Sequence, residues 1–162
     1  MNSEIKTKGV VERIIKYRDG RTETAVIENT VVITGQMALA ASLAGQYGDQ
    51  YNYYISHMTF GSGGMSDDQT TRFVPNTQNG LFAPIPGSSK SAFAVIDPNI
   101  PTQVTFTVVL DFTDDTDSGA GQQINEMALV MNSGDFYSMT TFPTLTKTSA
   151  MQVTWLWRLS FI

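Results

Sequence analysis

The sequence predicts a mainly β protein: an antiparallel β-sandwich or jelly roll with one short helix and a long ordered loop. Only 15% of its 162 residues are charged, and threonine, serine, asparagine and glutamine take their place. Several segments alternate apolar and polar side chains with a period of two, and only one has helical spacing. Low charge combined with threonine and aromatic residues is typical of β-rich proteins whose surface contacts neighbouring molecules.

The N-terminal segment predicts a β-ribbon. The β-branched residues of "GVVERIIKY" (9–17) favour a strand, Asp19-Gly20 is a hairpin turn signal, and "TETAVIENTVVI" (22–33) is the returning strand. Residues 1–8 are polar and of mixed charge, as expected of an arm. We therefore assign residues 1–26 to an N-terminal arm and β-ribbon, and residues 27–162 to a β-sandwich domain.

The helical spacing lies at about residues 34–45, where apolar side chains recur three and four positions apart. Thr34 is placed to act as the N-cap, and Gly45 as the C-terminal stop. Residues 61–92 are rich in glycine, serine, asparagine and proline and contain few apolar anchors. They predict an extended loop that becomes ordered by packing, with another subunit as a candidate surface.

Two long strands are predicted in the second half of the chain. The first places on one face Val104, Phe106, Val108, Leu110 and Phe112. The last places on one face Val153, Trp155, Trp157, Leu159 and Phe161. This alternation favours a core position for both tryptophans over a sugar-stacking platform.

Two short motifs are candidates for chemistry, and neither is complete. His57 is the only histidine and cysteine is absent, so a zinc site or catalytic group would lack partners, and a local hydrogen bond is expected instead. The glycines of "GSGG" (61–64) are followed by Asp67 and Asp68 and not by the lysine of a phosphate-binding loop. We interpret them as the end of a strand, where glycine permits positive φ.

The acidic stretch "DFTDDTDSGAGQQINE" (111–126) contains the one metal candidate. Asp115, Asp117 and Glu126 match positions one, three and twelve of a calcium loop. Gly119 offers no side-chain oxygen at position five, and Ala120 stands where the loop requires glycine. A solvated turn is the alternative interpretation. No catalytic residue set and no cofactor are expected.

Charge and composition limit the partners. The net charge is −5 and no basic run occurs, so nucleic acid is not an expected partner. The N-terminus lacks the pattern of a signal peptide and no apolar stretch is long enough to span a bilayer, so export and membrane contact are not expected either. The tyrosine-rich segment "YGDQYNYY" (47–54) suits contact with another subunit or with a receptor.

Five segments, in order, resemble a class of tailed-bacteriophage structural proteins over about residues 27–162. They are "VIENTVVITGQMALAASLAG", "ISHMTFGSGG", "VTFTVVLDF", "INEMALVM" and "FPTLTKTSAMQVTWLWRLSF". Two departures are evident. After the glycines the family often carries "L-x-x-E-x-x-R", and this chain keeps only the arginine of that pattern. Ala128 replaces the glycine of the "E-x-G-L" motif.

The resemblance implies a non-enzymatic virion protein that binds other phage structural proteins and itself, as a capsid decoration or cement protein or as a tail, baseplate or fibre component. A carbohydrate- or receptor-binding module of a phage tail is the alternative. Glu126 and Lys147 are lone charges beside apolar strands. Either they pair and tie neighbouring strands together, or they are unrelated surface positions.

Overall fold

The computed structural model describes residues 7–44, 53–75, 80–114 and 121–162. Its elements in chain order are β1 Thr7–Tyr17, β2 Thr22–Glu28, β3 Thr30–Val31, α1 Ile33–Leu43, β4 Ile55–Gly61, β5 Lys90–Ser91, β6 Phe93–Ile96, β7 Gln103–Leu110, β8 Gln122–Met131, β9 Phe136–Lys147 and β10 Met151–Phe161. The predicted mainly β class is confirmed, and α1 is the single helix among these residues.

Two five-stranded antiparallel sheets form the sandwich. The first has the order β2-β1-β10-β7-β6, and the second has the order β3-β9-β8-β4-β5. The predicted N-terminal ribbon is part of the first sheet, because β1 pairs along its whole length with β10. Residues 7 and 8 of the expected arm are thus strand, whereas residues 1–6 lie outside the described residues.

The core lies between the sheets and is built on β10. Val153, Trp155, Trp157 and Leu159 are almost completely buried, as the alternation predicted. The Trp155 ring lies 5.2 Å from the Phe142 ring of the second sheet and 5.7 Å from Phe60, measured between centroids. Aromatic pairs at this spacing add to the stabilisation from burying their apolar area.

Helix α1 begins earlier than predicted and is capped differently. Val32 is the N-cap residue and makes no side-chain cap bond. Thr34, the predicted cap, instead donates its hydroxyl hydrogen bond to the Phe136 carbonyl of β9. Gly35 lets the helix approach β9 closely, since a Cβ there would lie 2.1 Å from the Tyr137 carbonyl oxygen. Contact with β9 therefore positions α1, and Gly45 lies outside the described residues.

The two sheets differ in what covers their outer faces. Residues 61–75 and 80–85 lie over the second sheet, where Arg72 Nε donates to Thr141 Oγ1 and Leu81 packs on the buried Ala128 and Met139. No described segment covers the outer face of the first sheet, and Val26 and Phe93 there are each 71% exposed. The sandwich thus has one covered face and one bare face.

We expect truncation of Trp157 to Ala to lower the free energy of unfolding by about 3–5 kcal/mol, because it empties a fully buried site between the sheets. Urea denaturation measures the loss. Thr154→Ala, on the outer face of the same strand, is the matched control and should cost less than about 1 kcal/mol. Equal losses for the two variants would contradict this assignment of the faces.

Candidate functional site

The carboxylate of Glu126 is the centre of the polar contacts beneath the glycine loop. Oε1 accepts hydrogen bonds from the backbone N–H of Gly63 at 3.0 Å and of Ala83 at 2.8 Å. Oε2 accepts the N–H of Phe82 at 2.9 Å. Beside it, Asn125 Oδ1 accepts the N–H of Gly64 at 2.6 Å. Two separate parts of the long loop are therefore fastened to β8 by one buried side chain.

The glycines of "GSGG" are required by close approach and not by positive φ, which corrects the prediction. None of Gly61, Gly63 and Gly64 has positive φ. A Cβ on Gly61 would lie 2.4 Å from Glu126 Oε1, and one on Gly64 would lie 2.3 Å from the Asn125 carbonyl oxygen. The chain has no room for a side chain where it crosses β8, so this loop is a structural anchor.

The long loop is ordered by its own chain. The sequence suggested another subunit as the surface against which residues 61–92 pack. In the structure, the described residues bond to β8 and β9, and Thr141 Oγ1 donates to the Phe73 carbonyl at 2.5 Å. A partner is therefore not needed to order this part of the loop.

Glu126 and Lys147 do not pair, and neither is a surface position. Both side chains are completely buried. In the β8–β9 register Glu126 lies opposite Thr141, whereas Lys147 lies opposite Gln122, four residues away along β8. Lys147 Nζ donates to the Thr148 carbonyl at 2.9 Å. The two charges thus stabilise different ends of the second sheet.

His57 makes the expected local bond. Its Nδ1 lies 2.7 Å from the hydroxyl oxygen of the preceding Ser56, at an irregularity in the pairing of β4 with β8. Within the described ranges, no group of three or more histidine, cysteine, aspartate or glutamate side chains is placed to hold a metal ion.

The calcium prediction falls largely on residues 115–120, so Asp115 and Asp117 lie outside the described residues. The third predicted ligand, Glu126, already accepts three backbone N–H bonds. Just before the segment, Asp114 forms a salt bridge with Lys90. The calcium hypothesis stays a prediction.

Burial raises the pKa of Asp114, but hydrogen bonds from Lys90 and the Asp111 backbone, with the charges of Lys90 and Lys147, outweigh it. The pKa of Asp114 is therefore below its ordinary value. Hydrogen bonds from the Phe112 backbone and from Gln152 likewise lower the pKa of Asp111. Both carboxylates are ionised at neutral pH, and the salt bridge with Lys90 partly neutralises Asp114, which weakens its attraction for an additional cation.

Arg13 is a charged core residue that the sequence pattern missed. It lies on the inner face of β1, opposite Trp155 in the register, and its guanidinium carbon is 5.9 Å from the centroid of the Trp155 ring. Burial lowers the pKa of Arg13. Its place in the alternation "GVVERIIKY" between Val11 and Ile15 was the signal that could have identified it.

A groove of about 630 Å³ lies beside α1 and has a mainly apolar lining. Its wall includes Met37, Ala38, Ala41 and Met131. Asp135 is the one acidic residue among the described residues that line it. The neighbouring tyrosine-rich segment is described only at Tyr53 and Tyr54, and Tyr54 is 61% exposed. Its role in contact with a subunit or receptor stays a prediction.

The bare outer face of the first sheet is the other candidate site. The strand registers place five threonines on it, together with a band of apolar residues. The threonines are Thr22, Thr24, Thr105, Thr107 and Thr154, and the apolar band consists of Val10, Ile14, Val26, Phe93, Val95, Val109 and Leu156. At its centre Arg158 Nη1 donates to Glu12 Oε2 at 2.7 Å, so these two charges neutralise each other. We call this set of residues the outer face.

No protein-family model, curated protein or solved structure matches this chain. None of the helical residues that the structure describes forms a helix long and apolar enough to cross a membrane.

Replacing Glu126 by Gln should lower the free energy of unfolding by about 2–3 kcal/mol, because the amide nitrogen that replaces one carboxylate oxygen cannot accept the backbone N–H received there and leaves that N–H unpaired. The loop should also become open to trypsin after Arg72, the one arginine or lysine in residues 61–85. Mass spectrometry of the fragments measures that cleavage. Glu28→Gln, on an exposed strand, is the control. If trypsin cleaves the two variants equally slowly after Arg72, Glu126 does not anchor the loop.

Asp114→Asn should remove a pH-dependent contribution to stability. Because folding lowers the pKa of Asp114, its contribution is present above the unfolded-state value near pH 4 and is lost as the pH falls through the folded value. Wild type should exceed the variant by up to about 1 kcal/mol at pH 6 and by much less at pH 2. Urea titrations at both pH values measure this, and a difference that does not depend on pH would refute it.

Proposed function

We propose that this chain is a non-enzymatic structural subunit of a bacteriophage particle, held in place by contacts of its outer face with neighbouring virion proteins. The resemblance of five ordered segments to tailed-phage structural proteins supplies the type of assembly. The observation that carries the proposal is the outer face itself, which is apolar, rich in threonine and covered by no described segment.

The size of the outer face suits a subunit contact. Five strands spaced about 4.8 Å apart, and seven to eleven residues long except for the four-residue β6, give a face of roughly 600 Å². Standard protein–protein interfaces bury about 800 Å² on each partner. One neighbouring protein seated flat on this sheet would therefore cover most of it.

The chemistry of the outer face also suits a protein partner. Threonine and valine contribute flat area that loses little side-chain entropy when it is ordered, whereas Lys8, Lys16 and Glu28 on the same face are long and charged. Its central charges, Glu12 and Arg158, already form a salt bridge. Docking therefore need not leave either of them unpaired in a dry interface, which is the costly outcome for buried charges.

Leu156→Lys should reduce incorporation into phage particles at least tenfold, because it places a charge at the centre of the outer face. Quantitative mass spectrometry of purified particles measures copies per particle, and the wild-type copy number separates a head position from a tail position. Val74→Lys, at a site that is 84% exposed in the long loop, is the matched control. Both variants should keep the wild-type melting temperature to within a few degrees.

Absence of the wild-type chain from purified particles would refute the proposal. Equal incorporation of Leu156→Lys and Val74→Lys would show that the outer face is not the contact surface. Either result is read directly from the peptide counts.

A further inference from the structure

We propose that β6 pairs antiparallel with β6 of a second copy across a two-fold axis, so that the first sheets of the two copies form one continuous sheet. This inference rests on the proposed function in treating the chain as an assembly subunit, and it names a partner: the chain itself. It concerns the edge of the first sheet, whereas the proposed function concerns its outer face.

The edge formed by β6 is apolar and open. All four residues of the strand, Phe93–Ile96, are exposed. Phe93 is 71%, Val95 47% and Ile96 62% exposed, and none of the four residues is charged or proline. Because β6 is the last strand of its sheet in the part of the chain that the structure describes, no described strand pairs with the backbone groups on its outer side.

The other three edges of the described sheets are protected. β3 and β5 have two residues each, and Lys90 of β5 carries a salt bridge to Asp114. β2 is longer but contains Glu23 and Glu28. Short length and charge are devices by which proteins prevent edge-to-edge pairing, and β6, although it has four residues, is the one of these edges that is longer than two residues and uncharged. Among these four edges, β6 is therefore the best suited to pair with a strand of another molecule.

A second copy is a suitable occupant because the edge is complementary to itself. An antiparallel pair related by a two-fold axis forms the same hydrogen bonds in both directions, which gives a closed dimer and not a growing fibre. The chain has a net charge of −5, yet residues 93–96 bring no like charges together. A second β6 therefore meets no electrostatic penalty at the point of contact.

The symmetry fixes the register to one favourable choice. A two-fold axis perpendicular to the sheet keeps both outer faces on the same side, so opposite residues must have the same parity. With Ala94 on the axis, Phe93 of each copy lies opposite Val95 of the other. With Val95 on the axis, Phe93 would lie opposite Asp97, which buries less apolar surface.

The exposed side chains of the edge amount to roughly 300–400 Å² of apolar surface, the size of patch that marks interaction sites. This is about half of what each partner buries in a standard interface. We therefore expect a dimer that dissociates on dilution in free solution.

Cysteine cross-linking tests the register, because the chain contains no cysteine of its own. Ala94→Cys places two thiols opposite each other, with Cα atoms about 4.5–5.5 Å apart, within the range of a disulfide. Ile96→Cys, on the same face, separates the thiols by roughly 13 Å along the strands. Under mild oxidation the first variant should cross-link at least tenfold faster than the second, by non-reducing gel. An equal or lower rate for Ala94→Cys would overturn the proposal.

Sedimentation equilibrium tests the edge without cysteine. Val95→Lys should weaken the dimer at least tenfold, and Val26→Lys, the same change on the opposite edge strand of the same sheet, should leave it unchanged. Circular dichroism establishes that both variants fold. A wild-type chain that stays monomeric at millimolar concentration, or equal dimer strengths for the two variants, would overturn the pairing.

These results are independent of the test of the proposed function. Cross-linking of Ala94→Cys with no chain in phage particles would refute only the virion role. A chain that is present in particles but does not cross-link would refute only the strand pairing.

Discussion

The packing of β10 against the second sheet is the contact on which the remaining structure depends. Trp155 and Trp157 fill the space between the sheets, and Trp155 contacts Phe60 and Phe142 on two different strands of the opposite layer. Since β10 is the central strand of the first sheet and pairs with both β1 and β7, it connects the β1–β2 hairpin, β7 and the core. The packing of the two sheets thus positions the loop over the second sheet, the outer face of the first sheet and the β6 edge.

The covered face of the sandwich is built around a buried carboxylate. A buried charge is costly unless it is fully hydrogen-bonded, and Glu126 receives three backbone N–H groups from the loop that covers it. The loop in turn needs glycine where it crosses β8, since Gly61 and Gly64 have no room for a Cβ. Carboxylate, glycines and loop therefore depend on one another, and together they hide the second sheet from solvent.

None of the described segments covers the first sheet in this way, and both functional proposals follow from this asymmetry. Its outer face is broad and carries both apolar and charged side chains, and its last strand, β6, is apolar and exposed. A flat face suits a neighbour that stacks on the sheet, and an open edge suits a neighbour that extends it. The two contacts share the side chains of Phe93 and Val95, whereas the backbone groups on the open side of β6 belong to the edge alone.

The sequence alone determined the features that depend on local periodicity. The mainly β class, the buried faces of β7 and β10, the hairpin turn at Asp19-Gly20 and the local bond of His57 follow from alternation, turn residues and the absence of partners. The prediction that Thr34 caps the helix was wrong. Glu126 and Lys147 were predicted either to pair or to lie on the surface, and both alternatives were wrong. The glycines were also explained by φ when close approach was the cause.

Only the tertiary structure decided those points and the location of the candidate sites. Which residue lies opposite Glu126, what covers the second sheet and which strands are left as edges depend on pairing between segments far apart in the chain. Alternation tells that a strand has two faces, but it does not tell which polar face is later covered by a loop. The physical reason is that periodicity is a local property, whereas register and edge position arise from long-range hydrogen bonding.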